Sequence, residues 1–222
     1  MTISFEKSSQ SATILQQRLV TWQDYLRVRD SSEINWQKIA FYKGWLWVDM
    51  GNIGPNHARF CDLITIIFGF WAFLHPDSVI ESFGGCLIEN PDTHACAPDL
   101  VLYKGDNIPE WQPGEPRRIE LPRHRLPDLV GEIADTTLSL DLDEQKQLYA
   151  SLGIAEYWVI DVKGMQLFAF GLTEMGVYEA IQVSQVLPGL PIALVEQTLE
   201  RLAVETNTAA ANWLMQQLQA VA

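Results

Sequence analysis

Asp99, Glu132 and Lys146 have the residue types, order and settings to do hydrolytic chemistry together. Asp99 stands at the head of APDLVLY and Glu132 in the middle of DLVGEIAD. Side chains alternate faces along a strand, so Glu132 shares a face with Val130 and Ala134, while Leu129, Gly131 and Ile133 face the other way. A carboxylate inside so apolar a strand is costly unless it is paired or holds a metal. Two carboxylates from neighbouring strands can chelate a hard cation such as Mg2+, with Mn2+ as a substitute, and the backbone carbonyl of Ile133 would complete such an oxygen shell. An ion held there polarises a phosphodiester and lowers the pKa of an attacking water. Taken singly, each residue also has an ordinary role: Asp99 as a turn residue after Pro98, Glu132 as half of a buried ion pair, Lys146 as a surface lysine. Their succession along the chain is what makes a candidate site.

Lys146 lies in DLDEQKQLYASLG, which reads as a helix that stops at Gly153. With Leu142 at zero on a helical wheel, Tyr149, Leu152 and Leu148 fall within about 120° on one side, and Lys146 about 40° on the other. A lysine at the rim of an apolar stripe can lay its stem along the core and aim its ammonium at a site beside a sheet. There it would orient the water or stabilise the charge that develops on phosphorus oxygens. Gln145, one residue earlier, is rotated by about 100° onto the core stripe.

These side chains converge only if strand, strand and helix pack side by side. The pattern of the chain provides for that. Thr21 caps a short helix, TWQDYLRVR. Ile39–Tyr42 and Trp45–Val48 flank Lys43-Gly44 as a hairpin, and Val79–Phe83 and Cys86–Glu89 flank Gly84-Gly85 as a second. Gly54-Pro55-Asn56 opens a long apolar helix to about Leu74. Pro98–Tyr103 reads as a strand, and the five prolines within residues 104–127 mark an extended excursion. Leu129–Ile133 is apolar on both faces and so central in a sheet. Strands follow at Tyr157–Val162, Met165–Phe170 and Val177–Ile181, then mostly helix from Ala193 to about Gln219. The expected fold is α+β, a mixed sheet flanked by helices, with a loosely ordered segment 1–20 and a single domain over 21–222.

Composition bounds the function. A hydrophobic content of 48% suits a sizeable core. The first residues hold no continuous apolar run, so no secretory signal is expected. The apolar run Leu63–Leu74 is too short to span a bilayer, and no membrane partner is expected. Cys61, Cys86 and Cys96 are odd in number and fit reduced thiols in the cytoplasm. His94 and Cys96, with only Cys86 nearby, fall short of the four ligands of a structural zinc site. The net charge of −13 repels nucleic acid at long range, so any such role needs a local basic patch, a metal or a partner. Arg117, Arg118, Arg123 and Arg125, in PGEPRRIELPRHRLP, read as a solvated loop rather than a phosphate contact. The tryptophans read as core or dimer surface, since nothing links them to a basic groove.

The segments APDLVLY, PDLVGEIADTT and DLDEQKQLYASLGIAEYWVIDV resemble the bacterial Uma-type restriction endonucleases, a family placed in the PD-(D/E)xK nuclease superfamily. The resemblance covers roughly residues 36–171, and its most specific part runs from Lys146 to Asp161. It implies that Asp99 is the Asp of the PD motif and Glu132 the following acid. Position 134, where the superfamily carries its lysine, is Ala134, and Lys146 on the next helix is the implied substitute. It also implies a role for His57, which matches a histidine at a helix start. The chain departs from the pattern at Ala40, where many relatives carry a glutamate, and Asp49 is the substitute acid. The resemblance implies a restriction-endonuclease-like fold and a Mg2+-dependent endonuclease acting on DNA. Cutting both strands of a duplex further implies a homodimer. The acidic charge and Ala40 favour the alternative, a catalytically silent nuclease fold that binds nucleic acid or a partner protein. A structural dimer module is the remaining reading.

Overall fold

In this computed structural model residues 6–7 and 14–221 are described. In chain order the first elements are β1 (Glu6–Lys7), β2 (Ile14–Arg18), α1 (Trp22–Arg29), β3 (Lys38–Tyr42), β4 (Trp45–Asp49) and α2 (Pro55–Leu74). Next come β5 (Ile80–Gly84), β6 (Ile88–Asn90), β7 (His94–Cys96), β8 (Leu100–Lys104), β9 (Ile119–Glu120) and β10 (Leu129–Ala134). A short α3 (Leu138–Leu140) runs through a π-turn, Asp141–Gln145, into α4 (Lys146–Leu152). The chain ends in β11 (Glu156–Asp161), β12 (Gln166–Leu172), β13 (Tyr178–Ala180), α5 (Ile192–Leu202) and α6 (Asn207–Val221). The fold is α+β, with mixed sheets and packed helices. Two strands, β1 and β2, lie within the segment 1–20 expected to be loose.

The chain divides into two compact units where one domain was expected over 21–222. One is built from residues up to 53, 86–98 and 109–125; the other from 54–85, 99–108 and the chain from 126 onward. The first carries the sheet β1-β2-β4-β3-β7-β6-β9. Its β3–β4 hairpin turns at Lys43 (φ 48°) and Gly44 (φ 77°), the pair of positive angles that matches strand twist in a two-residue turn. Thr21 and Asp24 form a reciprocal capping box that starts α1. Tyr25 and Val28 of that helix then pack with Ile39, Phe41, Leu46 and Val48. The buried carboxylate of Glu89 accepts from the Tyr25 hydroxyl and from Arg29 at 2.7 Å, and pairs electrostatically with Arg118 at 2.8 Å.

The second hairpin, around Gly84-Gly85, does not form. β5 pairs with β8 in one sheet and β6 with β7 and β9 in the other. Neither glycine takes the positive φ that a tight turn needs.

The second unit carries the sheet β13-β12-β11-β10-β8-β5, parallel only at β10–β11. β10 sits inside it with all six residues buried, Glu132 among them, as a strand apolar on both faces around one acid demands. On one face Leu100, Leu102, Leu129, Ile133, Trp158 and Ile160 meet the buried side of α2 together with α5 and α6. At 20 residues α2 is long and apolar enough to cross a membrane by length and composition, but Leu63, Ile64, Ile67, Phe68 and Trp71 belong to this core. On the other face the ring of Tyr149 of α4 packs at a tilt against Tyr157, whose hydroxyl donates to the Asp141 carbonyl.

Glu156 is fully buried at the start of β11. Oε1 accepts from Trp158 Nε1 at 2.6 Å, and Oε2 accepts from the Gln185 and Val186 amides at 2.8 Å each. One carboxylate thereby fixes both an indole and the loop before α5. Glu156→Ala strands three donors, at roughly 1–3 kcal/mol for each that stays buried. We expect a loss of about 3 kcal/mol or more, read as a lower urea midpoint at unchanged slope, with Glu156→Gln losing far less.

Candidate active site

Asp99 and Glu132 come together through strand pairing. β8 and β10 are antiparallel in the register Leu102↔Leu129, Val101↔Val130 and Leu100↔Gly131. One step further stands Asp99 opposite Glu132. Directly opposed residues have Cβ atoms about 4.5–5.5 Å apart, so the carboxylates are neighbours. Both are buried, at 7% and 3% exposure.

Asp99 immediately precedes β8, so its carboxylate lies at the end of the sheet. Oδ2 accepts the Ile133 amide N–H at 2.8 Å, and Oδ1 lies 3.1 Å from Nε2 of His57, in the first turn of α2. Glu132 Oε1 accepts the Tyr149 hydroxyl at 2.5 Å. Two donors of the unit thus hold Asp99, and the helix covering the sheet holds Glu132. Burial raises the Tyr157 phenol well above its ordinary pKa, the Glu132 charge adds to the shift, and the ring stays a neutral wall of the site.

The donors available there are all oxygen: the carboxylates of Asp99 and Glu132 and the Ile133 carbonyl. The Ile133 carbonyl already accepts the Asp135 amide at 3.1 Å and keeps a second lone pair. Gln145 is buried and its Oε1 has no hydrogen-bond partner, a state that calls for a water or an ion. Among the described residues no group of three or more His, Cys, Asp or Glu side chains is placed to hold a metal. That is no obstacle to Mg2+, which is usually held by one or two carboxylates with waters and substrate oxygens completing the shell. The residues present fit such an ion.

Lys146 departs from its expected place beside both carboxylates. Its Nζ sits 3.6 Å from the centre of the Phe170 ring, and burial lowers its pKa from the ordinary lysine value. Phe170 pairs with Tyr157, which pairs with Val130. The ammonium therefore lies over the same face as Glu132 but two strands away, on the order of 10 Å. The cause is local. The π-turn over Asp141–Gln145 closes with i→i+5 bonds, so a wheel advancing 100° per residue misplaces the residues beyond it. No residue type in DLDEQ announces a π-turn, though such turns recur at functional sites.

The remaining candidates fall in the first unit. Asp49 accepts the Gly51 amide at 2.8 Å, and Ala40 is a buried strand residue. Arg118 pairs with Glu89 and Glu120, and Arg123 with Glu115, so half of the basic run expected to be solvated is spent on internal carboxylates. Burial pushes the Cys86 thiol up to about 11, which opposes the thiolate that zinc requires. Trp47, Trp71 and Trp158 are core residues.

A family profile described as Uma2, putative restriction endonuclease, matches residues 22–207. Among solved structures, a putative nuclease belonging to DUF820 from Anabaena variabilis superposes with a TM-score of 0.50 at 16% identity, over 88% of this chain and 99% of that one. That similarity establishes the shared fold. No curated protein matches.

Proposed function

We propose that this chain, which belongs to the Uma2 family of putative restriction endonucleases, is a Mg2+-dependent DNA endonuclease with Asp99, Glu132 and Lys146 as its working residues. The observation that supports this most is the buried pair of carboxylates, Asp99 and Glu132, brought opposite one another at the sheet end by the β8–β10 register. Asp99, Glu132 and the Ile133 carbonyl would hold the ion, which supplies a polarised phosphodiester and a more acidic water. Tyr149 keeps Glu132 facing that position. Lys146 supplies positive charge to the reacting phosphate once it leaves the Phe170 ring. The chain acts in the cytoplasm, where its thiols stay reduced.

The deciding experiment is cleavage of supercoiled and linear DNA by the purified chain with Mg2+ or Mn2+, using chelator-treated protein as control. Metal-dependent cutting that Asp99→Ala removes upholds the reading. Absence of cutting under both metals, with metal binding intact, favours the second reading, a silent nuclease fold that binds nucleic acid or protein. The net charge of −13 and the arginines committed to Glu89, Glu115 and Glu120 are the observations on that side.

Cleavage of both strands needs two sites, and an isologous dimer is the commonest way to provide them. We expect light scattering at micromolar concentration to give twice the 25.1 kDa chain mass. A monomer mass at all concentrations up to about 100 μM would count against paired sites.

A further inference from the structure

We propose that His57 is a positioning residue for Asp99, its ring held in place by Cys61; the inference rests on Asp99 being a metal ligand. His57 Nε2 lies 3.1 Å from Asp99 Oδ1, and Nδ1 lies 3.6 Å from Cys61 Sγ, one helical turn along α2. Asp99 Oδ2 in turn accepts the Ile133 amide at 2.8 Å. The four groups form a line from a thiol to a strand backbone, with Asp99 at its centre.

The chemistry of each atom assigns the protons. A carboxylate oxygen accepts, so Nε2 must carry the hydrogen that bridges to Asp99. Cys61 Sγ meets Nδ1 on the opposite side of the ring, and that contact holds the ring with Nε2 turned toward Asp99. With Oδ1 held by the ring and Oδ2 by the backbone amide, the carboxylate cannot rotate about its own bond. The direction in which each oxygen can offer a lone pair to an ion is then fixed. Such outer support of a ligand typically contributes tenfold to a hundredfold in metal affinity. Both residues are on the first two turns of one helix, whose far end is anchored in the core by Ile67, Phe68 and Trp71. The support is therefore rigid.

The test is Mn2+ affinity, followed by the electron paramagnetic resonance of the free ion, on full-length protein with melting temperature measured alongside. His57→Phe should bind Mn2+ on the order of 10- to 100-fold more weakly, and saturating Mn2+ should restore most of its turnover. His57→Gln, whose amide nitrogen reaches the same position, should stay within a few-fold of the parent. Cys61→Ser should behave like the parent, and Cys61→Ala should fall between parent and His57→Phe. If His57→Phe binds Mn2+ as the parent does while Asp99→Asn does not, the positioning role is overturned and the metal site stands. If Asp99→Asn also binds as the parent does, the metal reading itself fails. If His57→Gln falls as far as His57→Phe, the ring's shape matters and a donor facing Asp99 does not, which overturns the positioning role. Should His57→Phe fail to fold, the Gln and Cys61 variants carry the same comparison.

Discussion

Asp99→Asn is expected to abolish measurable binding of Mg2+ and Mn2+ and to lower any nuclease activity by on the order of 10³-fold or more, the equivalent of several kcal/mol of transition-state charge stabilisation. The substitution keeps the size of the side chain and removes its charge. It also disturbs the local bonding. Asp99 accepts the Ile133 amide on Oδ2 and faces Nε2 of His57, 3.1 Å away, with Oδ1. An asparagine offers one carbonyl oxygen, so its amide nitrogen must face one of those donors. A stability loss of about 1–3 kcal/mol should accompany the loss of metal. Asp99→Ala removes the ligand outright but takes the acceptor from the Ile133 amide and His57 as well, so metal binding and stability are measured separately in both variants. Calorimetric titration with Mn2+ measures the first effect and urea unfolding the second. An Asp99→Asn protein that binds Mn2+ with parental affinity would remove the metal from this site.

Much of this arrangement was legible in the sequence because it depends on short-range rules. The alternation in LVGEI identified a strand buried on both faces, and β10 is the strand with every residue buried. Lys43-Gly44 and Gly153 name their own backbone angles, and the structure has φ values of 48°, 77° and 85° there. What was not legible depends on which distant strand a segment meets. The glycine pair at 84–85 carries the composition of a hairpin, yet its flanking strands are claimed by β8 on one side and by β7 and β9 on the other. Nothing local distinguishes the two outcomes. The division into two units escapes for the same reason, because each unit is assembled from three separate stretches. At the site, register placed the carboxylates together, whereas the hydrogen bonds that orient them come from α2 and α4. The unpartnered oxygen of Gln145 is visible only once the π-turn is in place.

The π-turn also shapes the second large effect, that of Lys146→Ala. We expect it to leave Mn2+ affinity nearly unchanged and to lower turnover by on the order of 10²-fold or more, as for loss of one group that stabilises transition-state charge. The structure adds a step to that expectation. The ammonium rests on the Phe170 ring, and must swing toward the carboxylate pair when a phosphate is bound. A ring contact is worth about 0.5–2 kcal/mol, an amount that a bound phosphodiester anion and the further charge developing on it in the transition state outweigh. Phe170→Leu should therefore change turnover by less than tenfold. The pH dependence comes from burial. Its lowered pKa means that Lys146 loses its proton below 10.5, so the charge is present at lower pH and lost as pH rises through the shifted value. Activity that relies on the ammonium falls along that limb. Lys146→Arg, charged throughout, should move the fall to higher pH, and Lys146→Ala should lack it. An alkaline limb identical in all three proteins, or full activity in Lys146→Ala where Asp99→Ala has none, would leave the carboxylate pair as the whole of the machinery.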